Sequence, residues 1–64
     1  MRIDRIKLLI LIATKDISTL ELAKKSGLSR QTISCIKQGK RCREETAKKI
    51  AKALDVDVTE ILED

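Results

Sequence analysis

The chain has 64 residues, the size of one small domain, with no room for adjoining cofactor and substrate clefts. It carries 14 Lys and Arg residues against 10 Asp and Glu residues, a net charge of +4. Histidine, proline and all aromatic residues are absent. Without histidine the chain lacks the commonest general base and metal ligand, and without aromatics it lacks the stacking platforms of most single-strand and RNA binders. We therefore expect an all-α domain over residues 1–64 that is not an enzyme.

The longest apolar run covers residues 8–13, too short for a membrane span or the core of a signal peptide. Cys35 and Cys42 are the two thiols, and without histidine they cannot complete a four-ligand zinc site. We therefore expect no metal, cofactor, small-molecule ligand or membrane association, and a location in the reducing cytoplasm.

Charge is unevenly distributed along the chain. Residues 29–43 contain five basic residues and no acidic residue, whereas residues 44–64 contain three basic and seven acidic residues. A domain polarised in this way is suited to meeting phosphate groups on one side.

Helix-capping residues recur along the chain. Ser18 and Glu21 form the pattern of a capping box, as do Asp57 and Glu60, and Ser29 precedes another helical segment. Glycines at 27 and 39 follow two of these segments, where a helix often ends in a left-handed residue. These signals predict five helices, at about 3–14, 19–25, 30–37, 44–54 and 58–63. The last begins after the Asp57 cap, and the fourth has no good N-cap before Glu44.

The first predicted helix has more apolar residues than one face can hold. One face, predicted to lie on the core, contains Ile3, Ile6, Leu9, Ile10 and Ala13. The remaining apolar side chains are Leu8, Leu11 and Ile12. Either other helices bury these three or they form a dimer contact. A rival dimer surface is the C-terminal helix, with Val56, Val58, Ile61 and Leu62.

Residues 19–38 have the pattern of a helix-turn-helix. Ala23 supplies the small residue needed where the two helices touch, and Gly27 supplies the positive φ of the turn. Apolar residues that would hold both helices on the core fall at the required offsets: Leu22, Leu28, Ile33 and Ile36.

From about Ile17 to Leu62 the chain resembles the phage repressor and Cro type of helix-turn-helix protein. The resemblance lies in E-L-A-K-K-S-G-L-S-R-Q-T-I-S-x-I-K-x-G-K and E-T-A-K-K-I-A-K-A-L-D-V. It implies the all-α, five-helix lambda-repressor-like fold, with the second and third helices reading DNA. The chain has Thr19 where many members have Gln, and Lys37 where many have Glu.

The third helix would then lie in the major groove with its N-terminal residues facing base edges. Arg suits a bidentate contact to guanine and Gln one to adenine, so Arg30 and Gln31 rank first as base readers. The full predicted base-reading set is Arg30, Gln31, Thr32, Ser34 and Cys35. The predicted phosphate-binding set is Thr19, Ser29, Lys37, Lys40, Arg41 and Arg43.

These features predict a regulator of transcription that binds double-stranded DNA, a repressor acting as a homodimer on a palindromic operator. One alternative is the antitoxin of a toxin–antitoxin pair, whose main partner is a toxin. Another is a protein-interaction module that has lost DNA binding, although the basic middle segment argues against it. Cys35 and Cys42 are interpreted as incidental thiols or as a redox pair, in which nearby cations would lower the pKa of Cys42.

Overall fold

A computed structural model describes residues 2–63. Over this range the chain forms four α-helices: α1 (Arg5–Thr14), α2 (Thr19–Ser26), α3 (Arg30–Lys37) and α4 (Glu44–Ala53). A single 3-10 turn, Val58–Glu60, follows α4. Within residues 2–63 there is no strand, and an isolated antiparallel bridge joins Ile3 to Leu62. The all-α prediction is confirmed.

The predicted fifth helix over residues 58–63 is wrong. The Asp57 capping box forms, with the carboxylate of Glu60 accepting from the backbone N–H of Asp57 at 3.1 Å. The helix nevertheless stops after one 3-10 turn, because Leu62 is extended and bridges to Ile3. Pairing between the two ends of the domain therefore overrides a correct local helix-start signal.

The predicted start of the first helix is wrong by two residues, because Asp4 is its N-cap. The Asp4 carboxylate accepts from the backbone N–H groups of Ile6 at 2.9 Å and Lys7 at 3.2 Å. Ile3 consequently lies outside α1, although it is buried in the core.

The predicted core-facing side of the first helix is also wrong. Leu8 is fully buried, and Leu11 and Ile12 pack against the core. The other face is exposed: Ile6 retains 55%, Leu9 39% and Ile10 58% of its accessible surface. Because every residue from Leu8 to Ala13 is apolar, periodicity could not choose between the two faces. The interpretation that other helices cover Leu8, Leu11 and Ile12 is confirmed, and the alternative that they form a dimer contact is wrong.

The core lies where α1, α2, α3 and α4 meet. It contains the predicted anchors Leu22, Ile33 and Ile36, together with the predicted inner face of α4. That face consists of Ala47, Ile50, Ala51 and Leu54. Ile61 is fully buried beside them, and the C-terminal residues Val56, Val58 and Leu62 pack against the same core. The C-terminal residues predicted as a possible dimer surface therefore pack largely against the core of their own chain.

The bounds of α3 are as predicted, and those of α2 and α4 differ from prediction by one residue. Arg43 precedes α4 without a side-chain cap, as the sequence indicated. No helix among residues 2–63 is long and apolar enough to cross a bilayer.

Candidate DNA interface

The turn between α2 and α3 is held by the backbone around Ala23. Gly27 adopts a left-handed conformation with φ +74°, and its N–H donates to the Ala23 carbonyl at 2.9 Å. The Ser26 hydroxyl is buried and donates to the same carbonyl at 3.3 Å, while accepting from the Leu28 N–H at 3.3 Å. Ser26 was not among the predicted residues; its short hydroxyl adds two hydrogen bonds to backbone groups of the turn that also pair with each other, since the Leu28 N–H donates to the Ala23 carbonyl at 3.1 Å.

The N-terminus of α3 is fixed by a pair of hydroxyl groups. Ser29 Oγ accepts from the Thr32 N–H at 3.1 Å and lies 2.8 Å from Thr32 Oγ1. The cap role of Ser29 is thus confirmed, and both hydroxyls are engaged within the helix end. This arrangement fixes where the first turn of α3 points.

The predicted base readers differ in accessibility. Arg30, Gln31 and Ser34 are exposed, whereas Thr32 and Cys35 are half-buried. Within residues 2–63 the side chains of Arg30 and Gln31 make no hydrogen bond or ion pair. Both therefore stand free at the start of α3, with their donors available to a ligand.

Two predicted phosphate-binding residues contact each other. Lys37 Nζ donates to Thr19 Oγ1 at 2.9 Å, joining the last residue of α3 to the first residue of α2. This one hydrogen bond leaves two N–H donors on the lysine ammonium and the hydroxyl proton of Thr19 for other partners.

The basic loop after α3 lies beside the start of that helix. Lys40, Arg41 and Arg43 are exposed. A surface depression of about 560 Å³ lies between the loop, α3 and α4. Among its lining residues are Gln31, Cys35, Arg41 and Arg43. The fold therefore brings two guanidinium groups to the same concave surface as two of the predicted base readers.

Arg5 lies beside the turn that ends α3, a position that was not predicted from the sequence. Its Cδ lies 3.7 Å from the position that a Cβ on Gly39 would occupy, so the side chain runs alongside the turn after α3. No local signal could have placed Arg5 there, because the contact depends on how α1 packs against α3.

Cys35 and Cys42 are both free, half-buried thiols that line the same depression. Burial raises the pKa of the Cys42 thiol above its ordinary value. The expectation that nearby cations lower this pKa is therefore wrong, because desolvation of the thiolate outweighs them.

The sequence profile of the Cro/C1-type HTH DNA-binding domain matches residues 7–64. The chain belongs to this family. The family match agrees with the helix-turn-helix formed by α2 and α3 and with the exposed cationic surface around it. Comparison with curated proteins and with solved structures finds no significant match. The protein is thus a Cro/C1-type DNA-binding regulator, with four α-helices in the described residues 2–63.

Proposed function

We propose that the protein is a sequence-specific repressor that binds a palindromic operator in double-stranded DNA as a homodimer. The observation that carries the proposal is the free state of Arg30 and Gln31 at the start of α3. Both side chains are exposed and lack partners within the described chain, at the end of the helix that enters the major groove in a helix-turn-helix.

The two side chains would discriminate between bases. The Arg30 guanidinium suits the two acceptors of guanine, and the Gln31 amide suits the donor and acceptor of adenine. Thr32, Ser34 and Cys35 are secondary readers in this proposal. The Thr32 hydroxyl is already bonded to Ser29, and Cys35 is a poor hydrogen-bonding group that is half-buried.

The surrounding cations would hold the duplex in register. Lys40, Arg41 and Arg43 lie on the loop beside α3, and Lys37 with Thr19 lies at its far end. Contacts from these groups to phosphates position the protein without selecting sequence. Ser29 contributes chiefly by capping α3, since its hydroxyl is occupied by Thr32.

Repression would follow from occupancy of the operator, without a chemical step. The proposed location of this activity is the cytoplasm. Two copies on half-sites about 34 Å apart would double the number of base contacts. One small domain alone makes too few contacts for a unique genomic site.

The test is selection from a random duplex library with the purified protein, at about 0.15 M salt because phosphate contacts are salt-dependent. We expect enrichment of an inverted repeat. Binding without enrichment, or no binding, would contradict the proposal and favour an antitoxin or an interaction module. The Arg30→Ala, Gln31→Ala double variant serves as the control and should lose the enrichment.

A further inference from the structure

The depression of about 560 Å³ beside α3 has a polar rim and an apolar floor. The exposed side chains of Gln31, Arg41 and Arg43 form the rim. The other lining residues are half-buried or buried, and each is apolar or carries a methyl or thiol group: Leu28, Thr32, Cys35, Ile36, Cys42 and Thr46. The depression therefore suits a ligand that combines negative charge with a small apolar group.

Three half-buried residues of this floor, which we call the α3 patch, lie on or just before the recognition helix: Leu28, Thr32 and Cys35. Thr32 and Cys35 are spaced i, i+3, and Gln31 and Cys35 are spaced i, i+4, so these side chains are neighbours on one face of α3. The α3 patch is therefore next to a predicted base reader.

The methyl group of Thr32 is held in a defined position. Thr32 Oγ1 lies 2.8 Å from Ser29 Oγ, which in turn accepts from the Thr32 N–H at 3.1 Å. Because the hydroxyl is engaged at the end of the helix, the rotamer of the side chain and the position of its methyl group are both fixed. Cys35 adds a sulfur atom, which behaves as a small apolar group with little hydrogen-bonding capacity.

We propose that the α3 patch binds the C5-methyl group of a thymine, which makes Thr32 and Cys35 specificity-determining residues. The inference rests on the proposed function, in which α3 lies in the major groove. The thymine methyl is the one apolar group that unmodified base pairs present in that groove, so it is the group that an apolar surface on α3 can select. Arg41 and Arg43 on the rim would bind nearby phosphates.

The α3 patch and Gln31 would complement each other. The Gln31 amide suits the donor and acceptor of adenine, whereas the patch selects thymine without a hydrogen bond. Each half-site of the operator should therefore contain at least one A·T pair opposite this face of α3.

The test compares the operator obtained by selection with duplexes in which each thymine in turn is replaced by uracil. This replacement removes the C5-methyl group and leaves every hydrogen-bonding group of the base in place. We expect one replacement in a half-site to lower affinity about three- to fivefold, the effect of burying one methyl-sized apolar group. A C·G pair at the same position should bind more weakly than 5-methylcytosine·G by a similar factor, because these two pairs also differ only in the methyl group.

Protein variants assign the contact to Thr32. Thr32→Ser deletes the methyl group but keeps the hydroxyl beside Ser29, and it should reduce the preference for thymine over uracil to less than about twofold. Thr32→Val retains a methyl group and should keep the preference. Thr14→Ser is the matched control, since it removes the same group from the exposed end of α1, and it should leave the preference unchanged. Circular dichroism of each variant verifies the fold.

Equal affinity for thymine and uracil at every position of the operator would overturn the inference and leave the proposed function intact. A preference that persists unchanged in Thr32→Ser would place the methyl contact on other residues and overturn the assignment. Selection that enriches no sequence would contradict the proposed function itself, and the inference would fail with it.

Discussion

Lys37 Nζ donates a hydrogen bond to Thr19 Oγ1 across 2.9 Å, and this bond joins the two helices of the helix-turn-helix. Lys37 occupies a position where many family members have Glu, and Thr19 one where many have Gln. The bond holds the ammonium group at the end of α3 and uses Thr19 Oγ1 as its acceptor. The hydrogen bond therefore keeps the ammonium group of Lys37 next to the hydroxyl group of Thr19.

Because the two side chains are hydrogen-bonded to each other, we expect their contributions to duplex binding not to be additive. We expect Thr19→Val and Lys37→Met each to weaken binding, with a coupling energy of about 0.5–1.5 kcal/mol in the double variant. Titration of a selected duplex with the four proteins measures this coupling. Lys49→Met, on the exposed side of α4, should have little effect. Strictly additive losses would mean that the hydrogen bond has no role in DNA binding.

Arg30 should determine the preference for one base pair of the operator. Arg30→Ala should cost about 1–3 kcal/mol on the selected operator and relax preference at one base pair. Affinity is measured on the operator and on single base-pair variants of it. An equal loss on every sequence would instead make Arg30 a phosphate contact.

Lys40 should contribute affinity without specificity. Lys40→Ala should weaken binding to all duplexes about equally and reduce the slope of log K against log salt concentration by about one. Binding measured over a range of salt concentrations gives the slope. The matched control is Lys49→Ala, which removes the same charge from α4. A slope that does not change would remove Lys40 from the proposed phosphate contacts.

Gly27 should be required for backbone conformation alone. A Cβ added there meets no atom within 4 Å, but φ is +74°, so Gly27→Ala should lower the free energy of unfolding by about 1–2 kcal/mol through strain. Chemical denaturation measures the loss. Gly27→Asn should lose less, because asparagine tolerates the left-handed region better. Equal stability of Gly27→Ala and wild type would contradict this account of the turn.

Stability should depend on the ionisation of Asp57. Hydrogen bonds from the backbone N–H and the hydroxyl of Thr59 lower the pKa of this carboxyl group. Its contribution is therefore complete above the unfolded-state pKa of about 4 and disappears as the pH falls through the lower folded-state value.

Asp57→Asn retains an acceptor oxygen for Thr59 but cannot titrate. Denaturant midpoints measured from about pH 5 down to pH 2 should fall more for the wild type than for this variant. Parallel curves would show that the cap does not contribute to acid sensitivity.

Local sequence signals were sufficient to predict the bounds of α3 and the turn that precedes it. Ser29 and Gly39 bracket α3, and Ala23 with Gly27 sets the turn, so the bounds and the turn followed from neighbouring residues. The same logic failed at the ends of the domain. Leu62 bridges to Ile3, and this long-range pairing ends the predicted fifth helix after one turn.

The contacts between residues of the candidate DNA interface were harder to predict from the sequence than the identity of those residues. Spacing identified the cations of the loop, but neither the Lys37–Thr19 bond nor the position of Arg5 beside Gly39 is encoded in a local pattern. The apolar run of α1 likewise fitted two faces equally well. Only its packing against the other helices decided which face the core would take.

The pairing of Ile3 with Leu62 has a consequence for the order in which the domain is made. Asp4 N–H also donates to the Ile61 carbonyl at 2.8 Å, and Lys7 Nζ donates to the Leu62 carbonyl at 3.1 Å. A ribosome synthesises Ile3 early and must complete nearly the whole domain before these partners emerge. Helices α2 and α3 therefore leave the ribosome before the core that supports them can close, and the domain completes its folding after the segment around Leu62 has been synthesised.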